Sequence, residues 1–276
     1  MGFGDALIAA AQAQEYFAQD PERGPIVMMS GAGKVRWNPV WLHNPVIWVP
    51  GSNVIPHRNL KTGGGYLPYL QHPYSTETGW RFTNWRVRDH RPNYYLQESE
   101  RWPGEAMRDR LGPFYILEPT ADRKHVNRRP LRAFWDSLAT ELQHVMPIPG
   151  VQLLHAQAEY LRGGFTPYVH EEFRQAVAML AAADLLITTE GGLAHAAAAV
   201  GTPAVVLWGG NVSVDNLGYP EHVNLVDDGP RTPCGTLVEC DHCAAAWARL
   251  NPSVVAALAR QEWQRGLSRS RQSAVR

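Results

Sequence analysis

Residues able to do chemistry gather in three short stretches of this 276-residue chain. Glu190, Gly191 and Gly192 form a turn directly after an apolar run, Leu185 to Thr189, with His195 one helical turn further on. Thr120 and Lys124 lie in the polar, basic stretch from Glu118 to Arg129, after the apolar residues Phe114 to Leu117. Asp5 closes the sequence GFGD near the amino end. A carboxylate at the carboxyl end of a strand can accept hydrogen bonds from ligand hydroxyls. Paired glycines let backbone come close to a bound group, and the free amides of the following helix start favour an anion such as a diphosphate. Lys124 beside such a helix start makes a diphosphate clamp, and Asp5 beside an acceptor hydroxyl makes a general base. Each residue also has an ordinary role. Glu190 can cap a βα turn, Asp5 can be an N-cap, and His195 can simply pack within an Ala-rich helix.

The chain contains no Asp-x-Asp pair to carry a divalent ion on a phosphate ester, and the adjacent Asp227 and Asp228 read as a turn. A metal-independent transfer therefore fits better, with fixed positive groups in place of the ion and no metal ligand assigned to the site. SGAGKV, Ser30 to Val35, fails as a phosphate loop: Met28 stands where the first glycine belongs, and Val35 follows the lysine.

The elements that must position these residues follow a strand-helix rhythm. Ala183 to Gly210 reads as strand, turn, helix from Leu193 to Val200, Gly-Thr-Pro stop, and second strand from Ala204 to Trp208, one βαβ unit of a doubly wound α/β fold. Further strands are expected at Pro25–Met29, Pro45–Val49, Asn93–Leu96, Phe114–Leu117 and Val151–His155. Helices are expected after GFGD with Leu7, Ile8, Ala11 and Tyr16 on the apolar side, at Ser99–Leu111 with a break at Pro103-Gly104, at Leu131–His144, at Phe173–Ala183, and at Val254–Leu267. Only Met1 precedes GFGD, where a strand usually leads into such a turn; either the start of the natural chain is missing from this sequence or the first domain dispenses with that strand. Gly112-Pro113 is a natural seam, giving domains 1–112 and 113–276, two Rossmann-like halves with the site in a cleft between them.

Composition bounds the partners. Net charge is zero, which argues against a general electrostatic attraction to nucleic acid or anionic membrane. The segment from Trp80 to Arg91 alternates arginines with Trp80, Phe82 and Trp85, a pattern suited to an anionic partner with flat rings or to an ordinary solvated loop. No run is apolar over the length a bilayer requires, and the start carries Asp5 and Glu15 rather than a basic leader, so a cytoplasmic protein is expected. The three cysteines, Cys234, Cys240 and Cys243, sit in one segment, PCGTLVECDHC. Reduced structural thiols are the default reading. The alternative is a tetrahedral zinc site, with His242 awkwardly flanked as a fourth ligand and His222 able to serve instead.

Taken together, three stretches resemble glycosyltransferase family 9, the ADP-heptose:lipopolysaccharide heptosyltransferases. AADLLITTEGGLAHAAAAVGTPAVVLWGG resembles the family signature, PTADRKH its nucleotide-diphosphate loop with Thr120 and Lys124 in place, and GFGDAL the turn that carries the proposed base, Asp5. The resemblance implies a GT-B fold, two Rossmann-like domains facing a cleft, and inverting sugar transfer from a nucleotide diphosphate sugar without metal. It implies an acceptor-side first domain, a donor-binding second domain, and a glycan or lipid-linked glycan as acceptor ahead of a nucleic acid base. By the same resemblance Glu159 would meet the nucleoside ribose, while Glu190, Gly191, Gly192 and His195 would hold the donor. The sequence departs from the pattern where Glu190 replaces the usual Asp and Gly191 the usual Ser or Thr, which leaves the sugar open. An epimerase or hydrolase of the same fold and a non-catalytic nucleotide-sugar-binding protein are the alternative readings.

Overall fold

The computed structural model describes residues 2–273 except 57, 64–65, 120–126, 128–129, 156–157, 159, 162, 227–228 and 230, with side chains described up to 268. Thr120, Lys124 and Glu159 therefore lie outside the described residues. The chain begins with helix α1 (Phe3–Ala18), followed by strands β1 (Ile26–Met29) and β2 (Arg58–Lys61) in a small parallel pair, and by helix α2 (Glu98–Leu111). From there strand and helix alternate: β3 (Tyr115–Glu118), α3 (Arg132–Val145), β4 (Gly150–Leu154), β5 (Thr166–Val169), α4 (Phe173–Ala182), β6 (Leu185–Thr189), α5 (Gly192–Val200), β7 (Ala204–Trp208), α6 (Val214–Leu217), β8 (Val223–Val226), α7 (Asp241–Ala248) and α8 (Pro252–Ser273).

The six strands β3 to β8 form one parallel sheet in the order β5-β4-β3-β6-β7-β8. Its central strands are apolar at nearly every position because both faces are covered. Alternate residues go to opposite sides: Ile116, Leu186 and Val206 join the core beneath α1, α4 and α5, while Leu117, Ile187 and Val205 join the core beneath α3 and α8. β3 and β6 are neighbours at the centre, yet the chain leaves β3 toward β4 on one side and β6 toward β7 on the other. In an open parallel sheet, that reversal opens a crevice at the carboxyl ends of the two strands. It is the topological switch point of the fold.

The first core runs without a break from Ala6, Leu7 and Met28 in the first half to Val177 and Leu186 in the second. α1 is buried almost all round, at Ala6 to Ala11 and Ala13, because it lies between the small sheet and α5; Tyr16, expected on its apolar side, is exposed at the end. GFGD is not a free turn but the first turn of this helix, with Gly2 as N-cap.

Other expectations needed correction. Pro45–Val49 contributes only a single parallel bridge, Ile47 beside Ile26, and Asn93–Leu96 forms no strand. α2 continues through Pro103-Gly104. The carbonyl freed by Pro103 belongs to exposed Ser99, where water can satisfy it. β2, β5 and β8 have no counterpart in the expected strands. All three are sheet edges, and RNLK and TPYV lack the apolar run of an interior strand; Pro167 is tolerated because β5 pairs on one side only.

Gly104 sets the approach of α2 to α4: a Cβ there would fall 2.3 Å from the backbone oxygen of Ala178. Gly104→Ala gains about 1 kcal/mol in helix propensity but must push two helices apart, at about 1–3 kcal/mol, so a net loss of thermal stability is expected. Gly266 in α8 has nothing within 4 Å of its Cβ position, and Gly266→Ala should raise stability by under about 1 kcal/mol. Paired thermal melts check both signs.

Candidate functional site

The turn at the switch point is built by its sequence. β6 ends at Thr189, and buried Glu190 donates its backbone N–H to the Leu207 carbonyl, 3.0 Å, which keeps it in register with β7. Gly191 then takes φ 151°, a conformation that favours glycine, and serves as N-cap of α5. Gly201 ends α5 in the left-handed conformation, and the Thr202 hydroxyl donates to the Leu180 carbonyl at 2.7 Å. The first-turn amides of α5 are therefore presented beside the carboxyl end of β6.

The start of α1 meets the same place. A Cβ on Gly4 would lie 3.0 Å from His195 Cδ2 and 3.5 Å from Gly192 Cα, and a Cβ on Gly192 would lie 3.4 Å from the Gly4 nitrogen. Phe3 stacks on Phe173 with ring centroids 4.3 Å apart, fixing this end of the helix. α1 and α5 pack along their small-residue faces with their starts together, so two positive dipole ends converge. Asp5 and Glu190 supply the compensating acids. Asp5, partly exposed in the first turn of α1, accepts a 2.8 Å hydrogen bond from the Tyr69 hydroxyl, and its charge helps to raise the Tyr74 phenol above its ordinary range, after burial. His195 is buried, with Nδ1 2.9 Å from the Tyr219 hydroxyl and the two rings edge to face. Structure thus packs Gly4 against Gly192 and His195, with Asp5 next to Gly4 in the first turn of α1 and Glu190 and Gly191 leading into α5. Thr120 and Lys124 follow β3 in the sequence and lie outside the described residues.

Several participants escaped the sequence reading. Tyr69 and Tyr219 belong to irregular stretches with no periodic signal. His155 and His170 follow the ends of β4 and β5 with rings 6.1 Å apart, and burial together with the His155 charge lowers the His170 pKa. A histidine directly after each of two parallel strands was the available signal. The Trp80 to Arg91 segment proved to be a strap joining the halves. Trp80, Phe82 and Trp85 pack on the first core, Asn216 Nδ2 donates to the Thr83 and Trp85 carbonyls, and Arg91 donates to the Ala198 carbonyl at the end of α5. A separate concavity lined by Trp102, Ala106, Met107 and Tyr168 lies on α2 and β5, away from these groups.

Beside the site, Cys234, Cys240, His242 and Cys243 place their ligand atoms within 4.8 Å of one another, a set able to hold a metal ion. This corrects the expectation for the fourth ligand: His242 joins the thiols, while His222 packs against Tyr219. The Cys243 contact holds the Cys234 thiol down to about 4 and pushes the Cys243 thiol up.

Residues 170–226, which hold β6, its turn and α5, match a family model. The match is to glycosyltransferase family 9 (heptosyltransferase). The whole fold agrees with it. A glycosyl transferase of family 9 from Veillonella parvula superimposes with a TM-score of 0.69 at 12% identity, covering 96% of this chain and 95% of that one. The iron-containing dodecameric glycosyltransferase TibC from enterotoxigenic E. coli gives 0.63 at 12% identity, covering 97% and 74%. No curated protein sequence matches the chain. The expected α/β architecture, parallel sheets in a GT-B-like arrangement, therefore holds, and so does the resemblance to heptosyltransferases. No helix among the described residues is long and apolar enough to cross a membrane.

Burial holds the pKa of His222 down to about 4, so it stays neutral where an unfolded chain has already taken up a proton. Between about pH 6.5 and pH 4 the unfolded state binds the extra proton, and stability falls as pH falls, by roughly 3 kcal/mol over the window. His222→Gln should flatten that part of the profile in denaturant titrations. An unchanged slope between the two pH values would remove His222 from the account.

Proposed function

We propose that this protein moves a sugar from a nucleotide diphosphate sugar to an acceptor hydroxyl, with inversion and without a metal ion at the reacting centre. The observation that carries the reading is the packing of Gly4, the residue before Asp5, against Gly192 and His195 at the switch point, where two helix starts favour an anion. Residues 1–112 form the acceptor side and residues 113–276 the donor side. A glycan or lipid-linked glycan is the acceptor class.

In this reading the Asp5 carboxylate, steered by Tyr69, takes the proton of the acceptor hydroxyl. The acceptor oxygen then attacks the anomeric carbon from the face opposite the diphosphate. The new C–O bond forms as the bond to the diphosphate oxygen breaks, and configuration inverts. Negative charge growing on the leaving diphosphate meets the amides at Gly191 and Gly192, with Lys124 and Thr120 contributed by the loop after β3. Glu190 orients sugar hydroxyls, His195 braces the α5 start, and Glu159 faces the ribose. Charge stabilisation by fixed donors takes the place that a bound cation fills in metal-dependent transferases.

The test is turnover of a panel of nucleotide sugars with candidate acceptors. Asp5→Ala should lower transfer about 100- to 10,000-fold while donor affinity by calorimetry stays within a few-fold. Tyr69→Phe should give a smaller loss, on the order of 10-fold. Lys124→Ala should weaken donor binding and transfer together. Unchanged transfer in Asp5→Ala sinks the assigned role. Donor consumed at an equal rate without acceptor points instead to an epimerase or hydrolase, and donor binding with no turnover to a binding protein.

A further inference from the structure

The segment carrying the cysteines is tied into the site from several directions. The Cys234 backbone N–H donates to the Gly210 carbonyl at 2.8 Å, and that of Gly235 to Asn211 at 3.0 Å, holding the segment against the carboxyl end of β7. The Trp80 N–H donates to the Gly235 carbonyl at 2.6 Å, joining it to the first half. Asn127, the described residue after the loop that carries Thr120 and Lys124, gives its side-chain amide to Val238 at 2.6 Å and Thr236 at 3.3 Å. Its own carbonyl accepts from Trp247 Nε1 of α7 at 3.0 Å. Yet this segment has no strand, and α7 is only eight residues long. α7 anchors the far end through Ala246 and Trp247, which are buried, while residues 232–240 carry few buried apolar side chains of their own.

The cysteine and histidine side chains of the segment stand close together. Cys234 Sγ and Cys243 Sγ are 3.4 Å apart, a distance too long for a disulfide and too short for indifferent thiols. Cys240 Sγ and a ring nitrogen of His242 complete a set whose members all lie within 4.8 Å of one another. Thiolate ligands around a tetrahedral ion sit a little under 4 Å apart, given metal–sulfur bonds of about 2.3 Å. His242 is buried, its Nδ1 has no hydrogen-bond partner, and its Nε2 is 3.2 Å from the Thr232 hydroxyl. This is how a ligating histidine is normally held: one nitrogen on the metal, the other donating to an orienting oxygen. Packing fixes the ring as well, since a Cβ on Gly210 would meet His242 Cε1 at 2.4 Å. Three thiols and an imidazole make a closed structural set for zinc, or for iron(II) in the same coordination; carboxylates, the ligands of magnesium and calcium, are absent from it.

We infer that Cys234, Cys240, Cys243 and His242 Nδ1 bind one divalent zinc or iron(II) ion, which staples the 232–243 segment and, through its hydrogen bonds with the Asn127 side chain, holds Asn127. With four protein ligands the ion has no open position and takes no part in sugar transfer. Binding is expected to release thiol protons to solvent, one for each thiol still protonated.

The full chain, purified under reducing conditions without a metal-affinity tag, is to be measured by inductively coupled plasma mass spectrometry, which distinguishes zinc from iron. About one ion per chain is expected. Metal-free protein refilled with cobalt(II) should show the d–d bands of a tetrahedral site and a thiolate-to-cobalt charge-transfer band. Cys240→Ser and His242→Ala should lose the bound ion, whereas Asp241→Ala and His222→Ala keep it. Because a ligand variant can unfold, the wild-type chain is also stripped with chelator: its melting temperature should fall by roughly 10 °C and return on adding back zinc or iron alone. Limited proteolysis should then cut faster near residues 232–243. Metal-free reduced protein that binds no cobalt, or a chain whose Cys234 and Cys243 are joined as a disulfide with no metal taken up on reduction, overturns the inference.

Discussion

Everything about the site rests on two glycines facing each other. Gly4 and Gly192 bring the starts of α1 and α5 within van der Waals contact, and any side chain at either position would hold them apart. The contact places two helix dipoles with their positive ends together, a repulsive arrangement in an empty fold. Asp5 and Glu190 offset part of it, and an anionic ligand would offset more. The same close approach that costs stability also gathers first-turn amides of both helices at one place, which suits an anion.

The surrounding fold is arranged to hold that contact. Arg174, almost completely buried on α4, reaches out of the second half into the first. It forms a bidentate pair with Glu100, 2.5 and 2.7 Å, donates to the Tyr95 carbonyl at 2.7 Å, and lies over the Tyr94 ring. That hydrogen bonding keeps the Glu100 carboxyl below its usual range. A planar, always-charged fork suits several carbonyl and carboxylate partners at once in a way that a lysine could not. Together with Gly104 on α2, it packs the end of the first half tightly onto the α4 face of the second.

How much of this was legible in the sequence depended on where burial lay. β6, α5 and β7 were placed within a residue of their observed limits, since interior parallel strands are continuous apolar runs and Gly201-Thr202-Pro203 stops a helix unmistakably. The edge strands β2, β5 and β8 carry polar or proline residues, so no periodicity marks them. Asp5 and Glu190 were legible as chemistry-bearing types, each at the start of a helix, and the structure packs those two helix starts together through Gly4 and Gly192. Tyr69 and Arg174 were not, because each acts by reaching between segments distant in the chain. The cysteine segment was read by default as reduced structural thiols, with a zinc site as the alternative. What the spacing could not reveal was that the first turn of α7 would bring Cys240, His242 and Cys243 to one side of the peptide and so admit the tightly flanked histidine.

The backbone crossing of Trp80 over Gly235 bears on motion. Gly79 and Gly235 both have positive φ, and Cβ atoms there would sit 2.7 and 2.1 Å from the opposite carbonyls, so the two strands of chain lie as close as backbones can. A hinge that swung the halves apart would have to break this bond along with those of Arg174, Asn216 and Arg91. Opening would also expose the apolar core that runs from the first half into the second, so these hydrogen bonds are only part of what holds the halves together.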